Sequence, residues 1–171
     1  MLEMARLVGT PPKEIILQTR AGNCVANNQA CDPDARNLYI YNLLRGNHLA
    51  WVNRKLACGV YNCFGLVWAS RRTAIYEERS VSQIIMEDGY RELRIEEQPQ
   101  PGDVVVYLHL SGEIRNTLHA AVILKLEQRG PGKVPLLLSK WNDSCGEDIH
   151  EIRDVPQSFG NYVIEFWTDR Q

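Results

Sequence analysis

Long apolar runs are missing from this 171-residue sequence. The longest, such as residues 104–108, have the length of a β-strand and fall far short of the roughly 20 residues that a membrane helix needs. Runs of one charge are missing as well. The 19 Lys and Arg stand against 21 Asp and Glu, for a formal net charge of −2, and Arg71–Arg72 is a pair rather than a patch. That balance offers no footprint for nucleic acid or an anionic membrane, so neither is expected as a partner. The N-terminal stretch MLEMARLVGTPPKEIILQTR is broken early by charges and has no apolar segment of signal-peptide length, so a cytoplasmic location is expected. Internal repeats and low-complexity segments are absent. The 5 cysteines are an odd set in a chain large enough to bury a core without staples, which favours reduced thiols.

What is present fits one domain over residues 1–171, with residues 1–37 as an extended N-terminal arm rich in Pro, Asn, Gly and Asp. A short strand is expected around residues 15–18 and a short helix over 38–45, closed by Gly46. In CGVYNCFGLVWASRRTAIY, Gly59 and Asn62 read as turn residues. Phe64, Val67, Trp68 and Ile75 then follow at helical spacing, which puts Cys63 at the start of a buried helix. Residues 80–89 predict a second helix, with Ser80 or Ser82 as N-cap and Gly89 as C-cap. After Pro99 the pattern changes to β. PQPGDVVVYLHL, HAAVILKLE, LLLSKW and NYVIEFWTD read as strands, joined by the polar loop SGEIRNT, the turn RGPGKVP and a long polar connection. Helices followed by an antiparallel meander make an α+β fold, with helices on one face of a sheet.

A cysteine at a helix N-terminus is a chemical opportunity. The positive dipole end and the free N–H groups favour the thiolate, and the same N–H groups can hold the oxyanion of acyl transfer. Such a nucleophile needs a base, and His119 opens the strand HAAVIL just after a polar loop.

The same residues carry a resemblance. YNCFGLVW resembles the YDCSGLV block of the NlpC-type peptidases, PGDVVVY is similar to their PGDLVFF strand, and HAAVIL to their HVGIYLG strand. The three blocks come in that family's order across residues 61–124. The resemblance implies a papain-like fold, Cys63 as nucleophile, His119 as base, and a peptide or protein substrate cleaved at an amide bond. No cofactor and no metal are implied. Asn62 stands where that family has Asp, Phe64 where it has a small Ser, and the segment from Ser139 to Gly160 has no counterpart there.

The third catalytic position stays open at this point. A polar group on the strand after the histidine should orient its ring. Strand position nominates Ser139 first, then Lys140 and Asn142, with His150 a fourth candidate beyond the Gly146–Glu147 turn. His109 reads as a solvent-facing edge residue and His48 as a surface loop residue. Trp141 and Trp167 read as core, Arg71–Arg72 as a solvated face of the nucleophile helix, and Glu147 and Asp148 as loop charges. Cys58 and Cys63 are spaced permissively for zinc, with Cys145 and His150, or Cys24 and Cys31, as the second pair. Cys58 is also a possible resolving thiol for an oxidised Cys63. Three functions therefore follow in order: a cysteine hydrolase, with deamidase or acyltransferase as variants of its chemistry; a degenerate site on the same fold acting as a protein-binding module; and a small zinc protein.

Overall fold

The computed structural model describes residues 13–29, 32–111 and 114–171. Its elements follow in the order α1 (Ala35–Asn47), β1 (Val52–Lys55), α2 (Cys63–Trp68), α3 (Glu78–Glu87), β2 (Arg91–Glu92), β3 (Val104–Ser111), β4 (Ile114–Arg129), β5 (Gly132–Ser139), β6 (Glu147–Glu151) and β7 (Tyr162–Thr168). The described strands form one sheet in the order β1-β6-β5-β4-β3-β7-β2, with every pair antiparallel. The architecture is mixed helix and antiparallel sheet, as the segment order predicts. No helix among the described residues is long and apolar enough to cross a membrane.

Several boundaries differ from the sequence expectation. The segment around residues 15–18 is held by the isolated bridge Gln18–Cys24 rather than by a strand. The nucleophile helix stops at Trp68, so Ile75 and the Arg71–Arg72 pair lie outside it. Ser70 and Arg71 take φ of 50° and 65°, which reverses the chain there. In α3 the N-cap is Glu77, not Ser80 or Ser82, and Gly89 follows the helix with φ +77°. β4 begins at Ile114, so most of SGEIRNT is strand, and its positions 112 and 113 lie outside the described residues. The long polar connection hides β6, whose Glu147 and Asp148 are buried strand residues rather than loop charges.

Strand alternation divides the core between two faces. Val104, Val106, Leu108 and Ala120 pack with Phe64, Val67 and Trp68. Val105, Tyr107, Ala121, Ile123 and Leu137 face the other way and pack with Trp141, Phe159 and Val155. α3 presents Val81 and Ile84 to a third group with Leu17, Val25, Ala69 and Ile75, which anchors the N-terminal segment. α1 is capped by Asp34, whose carboxylate accepts from Asn37 N–H at 2.8 Å. It buries only Tyr41, whose hydroxyl donates to the buried Asp148 at 2.8 Å.

One glycine decides whether α2 can dock. A Cβ on Gly65 would lie 1.9 Å from the Thr73 carbonyl oxygen, so this helix and the returning chain can approach only without a side chain.

Candidate active site

Cys63 is the first residue of α2. Asn62 starts the helix: its side-chain oxygen accepts from Gly65 N–H at 2.9 Å and from Ile75 N–H at 3.2 Å, while its amide donates to Ile75 O at 2.6 Å. The cap thus ties the helix start to the chain that returns after it. The backbone N–H groups of Ala120, Phe64 and Cys63 itself act on the thiol in favour of its ionised form. Burial is the larger influence and pushes the thiol up to about 11, against the pull of those N–H groups. The expectation that the helix start lowers this thiol's pKa is therefore corrected: the N–H groups are in place, but desolvation outweighs them. Cys63 keeps 7% of its surface.

His119 lies opposite Tyr107 in the β3–β4 ladder, next to a bulge where the register shifts between Tyr107 and Leu108. Its ring stacks on Trp141, with centroids 4.9 Å apart and planes 19° apart, and lies 5.8 Å from Tyr107 and 5.7 Å from Phe159. It therefore shares the face of Tyr107, while α2 packs on the face of Ala120. The β4–β5 ladder ends at Val122–Leu138, and Ser139 pairs instead with Asp148 of β6. Ala120, two residues past that last pair, carries one of the N–H groups that favour the Cys63 thiolate. The thiol is thus influenced by the backbone of the residue that follows His119. Thiol and imidazole approach from different faces of the sheet, and among the described residues no hydrogen bond joins them.

Of the candidates for the third position, the structure brings two to His119. Nε2 of His119 lies 2.9 Å from Ser139 Oγ, and the same oxygen lies 2.8 Å from Nε2 of His150. The β5–β6 register pairs Leu137 with His150, which sets that ring beside Ser139. Nδ1 of His150 lies 2.8 Å from the Glu151 carbonyl oxygen. Burial and the neighbouring His150 lower His119 to about 3, and burial lowers His150 to about 4, so both rings are neutral at pH 7. Lys140 turns away and donates to the carbonyl oxygens of Cys58 and Cys145. Asn142 caps the next turn by accepting from Ser144 N–H at 2.7 Å.

Four aromatic rings run in a stack from His48 through Trp51 and Trp141 to His119, with centroid spacings of 4.2, 4.5 and 4.9 Å. His48 is therefore not a free surface residue, and its Nδ1 also meets Asp154 at 2.6 Å. Trp141 covers the His119–Ser139 pair; the sequence marked it as core only, because nothing local shows which ring it lies on. His109 sits in β3 between β4 and β7, not on an edge strand. Arg71 is an ion-pair partner of Glu147 at 2.6 Å rather than part of a solvated face.

The cysteines of the described residues, Cys24, Cys58, Cys63 and Cys145, are unpaired, and Cys31 lies outside the described residues. Among the described residues no group of three or more His, Cys, Asp or Glu is arranged to hold a metal ion. Cavities open beside residues 14–17 and 24–27 and beside Tyr162 and Phe166, and neither includes Cys63 or His119. Comparison with protein-family models, with curated proteins and with solved structures returns no match.

Proposed function

We propose that this chain is a papain-like cysteine hydrolase, related in kind to the NlpC-type peptidases, that cleaves an amide bond of a peptide or protein substrate. One observation carries the reading. The imidazole of His119 is held through Nε2 by Ser139 with Nδ1 left free of hydrogen bonds among the described residues, and the backbone N–H of the residue that follows it favours the thiolate at the start of α2. A nucleophile, a base with one nitrogen anchored, and N–H groups at a helix start are the parts acyl transfer needs.

The resting groups are both neutral, so the chemistry is general-base rather than a preformed ion pair. As Cys63 sulfur bonds to the substrate carbonyl carbon, the thiol proton passes to His119 Nδ1 once ring rotation or one bridging water spans the two faces, and the carbonyl π electrons move to oxygen. The backbone N–H of Cys63 stabilises that oxyanion. Collapse breaks the C–N bond, and the imidazolium returns the proton to the leaving amine. Water then attacks the thioester by the same route, releasing the acid and the free thiol. Ser139 keeps hold of Nε2 throughout.

A second reading, a degenerate site serving as a protein-binding module, is favoured by the coverage of Cys63 and by the lack, among the described residues, of a hydrogen bond between Cys63 and His119. Alkylation of Cys63 by iodoacetamide against pH, followed by mass spectrometry in the wild type and in His119→Ala, separates the two. A hydrolase reacts near neutral pH and loses that advantage in the variant. A thiol with no base reacts only as the pH climbs toward about 11, identically in both proteins. Turnover of amide and thioester probes then tests the hydrolase directly.

A further inference from the structure

A serine hydroxyl alone cannot fix the tautomer of a histidine. It can accept from Nε2–H or donate to a bare Nε2, and rotation of one bond changes between the two. Ser139 is not alone, because its oxygen also meets Nε2 of His150 at 2.8 Å. The polarity of the chain follows from its far end. The Glu151 carbonyl oxygen can only accept, so Nδ1 of His150 carries a proton and donates to it. In a neutral ring that leaves Nε2 of His150 bare, and it accepts the Ser139 hydroxyl proton. With its only proton committed, Ser139 must accept at its oxygen, and Nε2–H of His119 supplies that bond. His119 is then the Nε2–H tautomer, and its lone pair lies on Nδ1.

We propose that His150 is a positioning residue that acts through Ser139 to hold His119 in the tautomer whose Nδ1 can accept a proton. This rests on the hydrolase reading above and adds a residue to it. No proton travels along the chain. When Nδ1 takes the Cys63 proton, Nε2–H remains with His119 and the Ser139 hydroxyl proton remains on Ser139, so the chain only polarises. The groups that face the His150 ring are Ser139, Trp51 and Trp141, with the charged Asp154 and the ring of His48 nearby. Burial of both histidines keeps the chain neutral, and so of fixed polarity, at physiological pH.

The test is direct. In full-length protein labelled with 15N at histidine, two-bond 1H–15N correlations report which ring nitrogen holds the proton. The expected wild-type result is a proton on Nε2 of His119 and on Nδ1 of His150; a proton on Nδ1 of His119 overturns the proposal without any variant. His150→Phe keeps a ring but removes the acceptor, and should give His119 a mixture of tautomers together with a several-fold loss in Cys63 alkylation rate at neutral pH. His150→Gln, whose amide oxygen can accept from Ser139, should keep the Nε2–H form. An unchanged His119 tautomer in His150→Phe overturns the proposal. If the tautomers follow this pattern while His119→Ala leaves Cys63 alkylation unchanged, the chain of hydrogen bonds stands and the hydrolase reading fails.

Discussion

Trp141 lies flat on His119, with ring centroids 4.9 Å apart and planes 19° apart, and so roofs the hydrogen bond between His119 and Ser139. An apolar roof strengthens that bond by excluding water and makes a charged imidazole costly. The Trp141 Nε1–H is itself buried without a partner among the described residues. Trp141→Ala should therefore admit water, raise the His119 pKa from about 3 toward the ordinary histidine value, and destabilise the fold by ~3–5 kcal/mol. Trp141→Phe keeps a roof and removes the orphaned donor, so it should cost less. NMR titration of His119 and urea unfolding of both variants check this.

The two buried histidines also set the acid limb of stability. Their folded pKa values lie below the unfolded value of 6.5, at about 3 for His119 and about 4 for His150. Between those values and 6.5 the unfolded chain binds more protons than the folded one, so stability falls as the pH drops from about 6.5 toward 4 and below. Above 6.5 this contribution is fully present. Cys63 has the opposite sign. Its folded pKa is raised from 9.0 to about 11, so the unfolded thiol ionises first and stability falls again as the pH rises above about 9. Urea midpoints from pH 4 to 10 should trace a dome, and His150→Gln should flatten its acid side.

The helix start and the core strands were legible because their signals are local. Asn62 as a turn residue, the apolar spacing after Cys63, and the β-branched run of β3 announce themselves within a few residues. Ser139 followed from antiparallel geometry, since a strand returning beside His119 brings its end to that ring. β6 was not legible. Its sequence EDIHE has two adjacent carboxylates that read as solvent-facing, and they are buried only because partners arrive from afar: Tyr61 and Arg71 for Glu147, Tyr41 and Asn53 for Asp148. The role of Trp141 was hidden for the same reason, because stacking between rings 22 positions apart leaves no periodic trace. The cost of burial at Cys63 was equally out of sight, since a helix start is a local feature and desolvation depends on the whole fold.

Glu147 shows how such a carboxylate is held. Burial pushes it up, but hydrogen bonds from Arg71 at 2.6 Å and Tyr61 at 2.6 Å keep its pKa below the ordinary value. Arg71→Ala would leave the carboxylate buried with Tyr61 and without its ion-pair partner, only the more distant Lys55 and Lys140 still countering its charge. The loss should approach the ~3–5 kcal/mol typical of breaking a buried pair, reduced because the Arg71 side chain is 36% exposed. Adding Glu147→Gln to Arg71→Ala removes the stranded charge and should recover part of that stability. Urea unfolding of the two single variants and the double variant gives the coupling.

Asn62 explains its own departure from the aspartate of the resembling block. Its oxygen accepts from two N–H groups, which a carboxylate could also do, and a negative charge would suit a helix start. Its amide, however, donates to Ile75 O at 2.6 Å, and the residue is only 8% exposed. Asn62→Asp would turn that contact into two facing acceptors in a dry site, at a cost of ~1–3 kcal/mol for the lost bond and the unsatisfied carbonyl. Protonation would restore a donor, so the deficit of Asn62→Asp should shrink as the pH falls toward the carboxyl pKa. Asn62→Ala loses the cap and the tie to Ile75 together, and its deficit should stay constant over the same range. Urea midpoints of both variants relative to wild type, at pH 5 and pH 8, distinguish these outcomes. A pH-independent deficit in Asn62→Asp would mean that the contact with Ile75 O contributes nothing and that the cap alone selects the residue before Cys63.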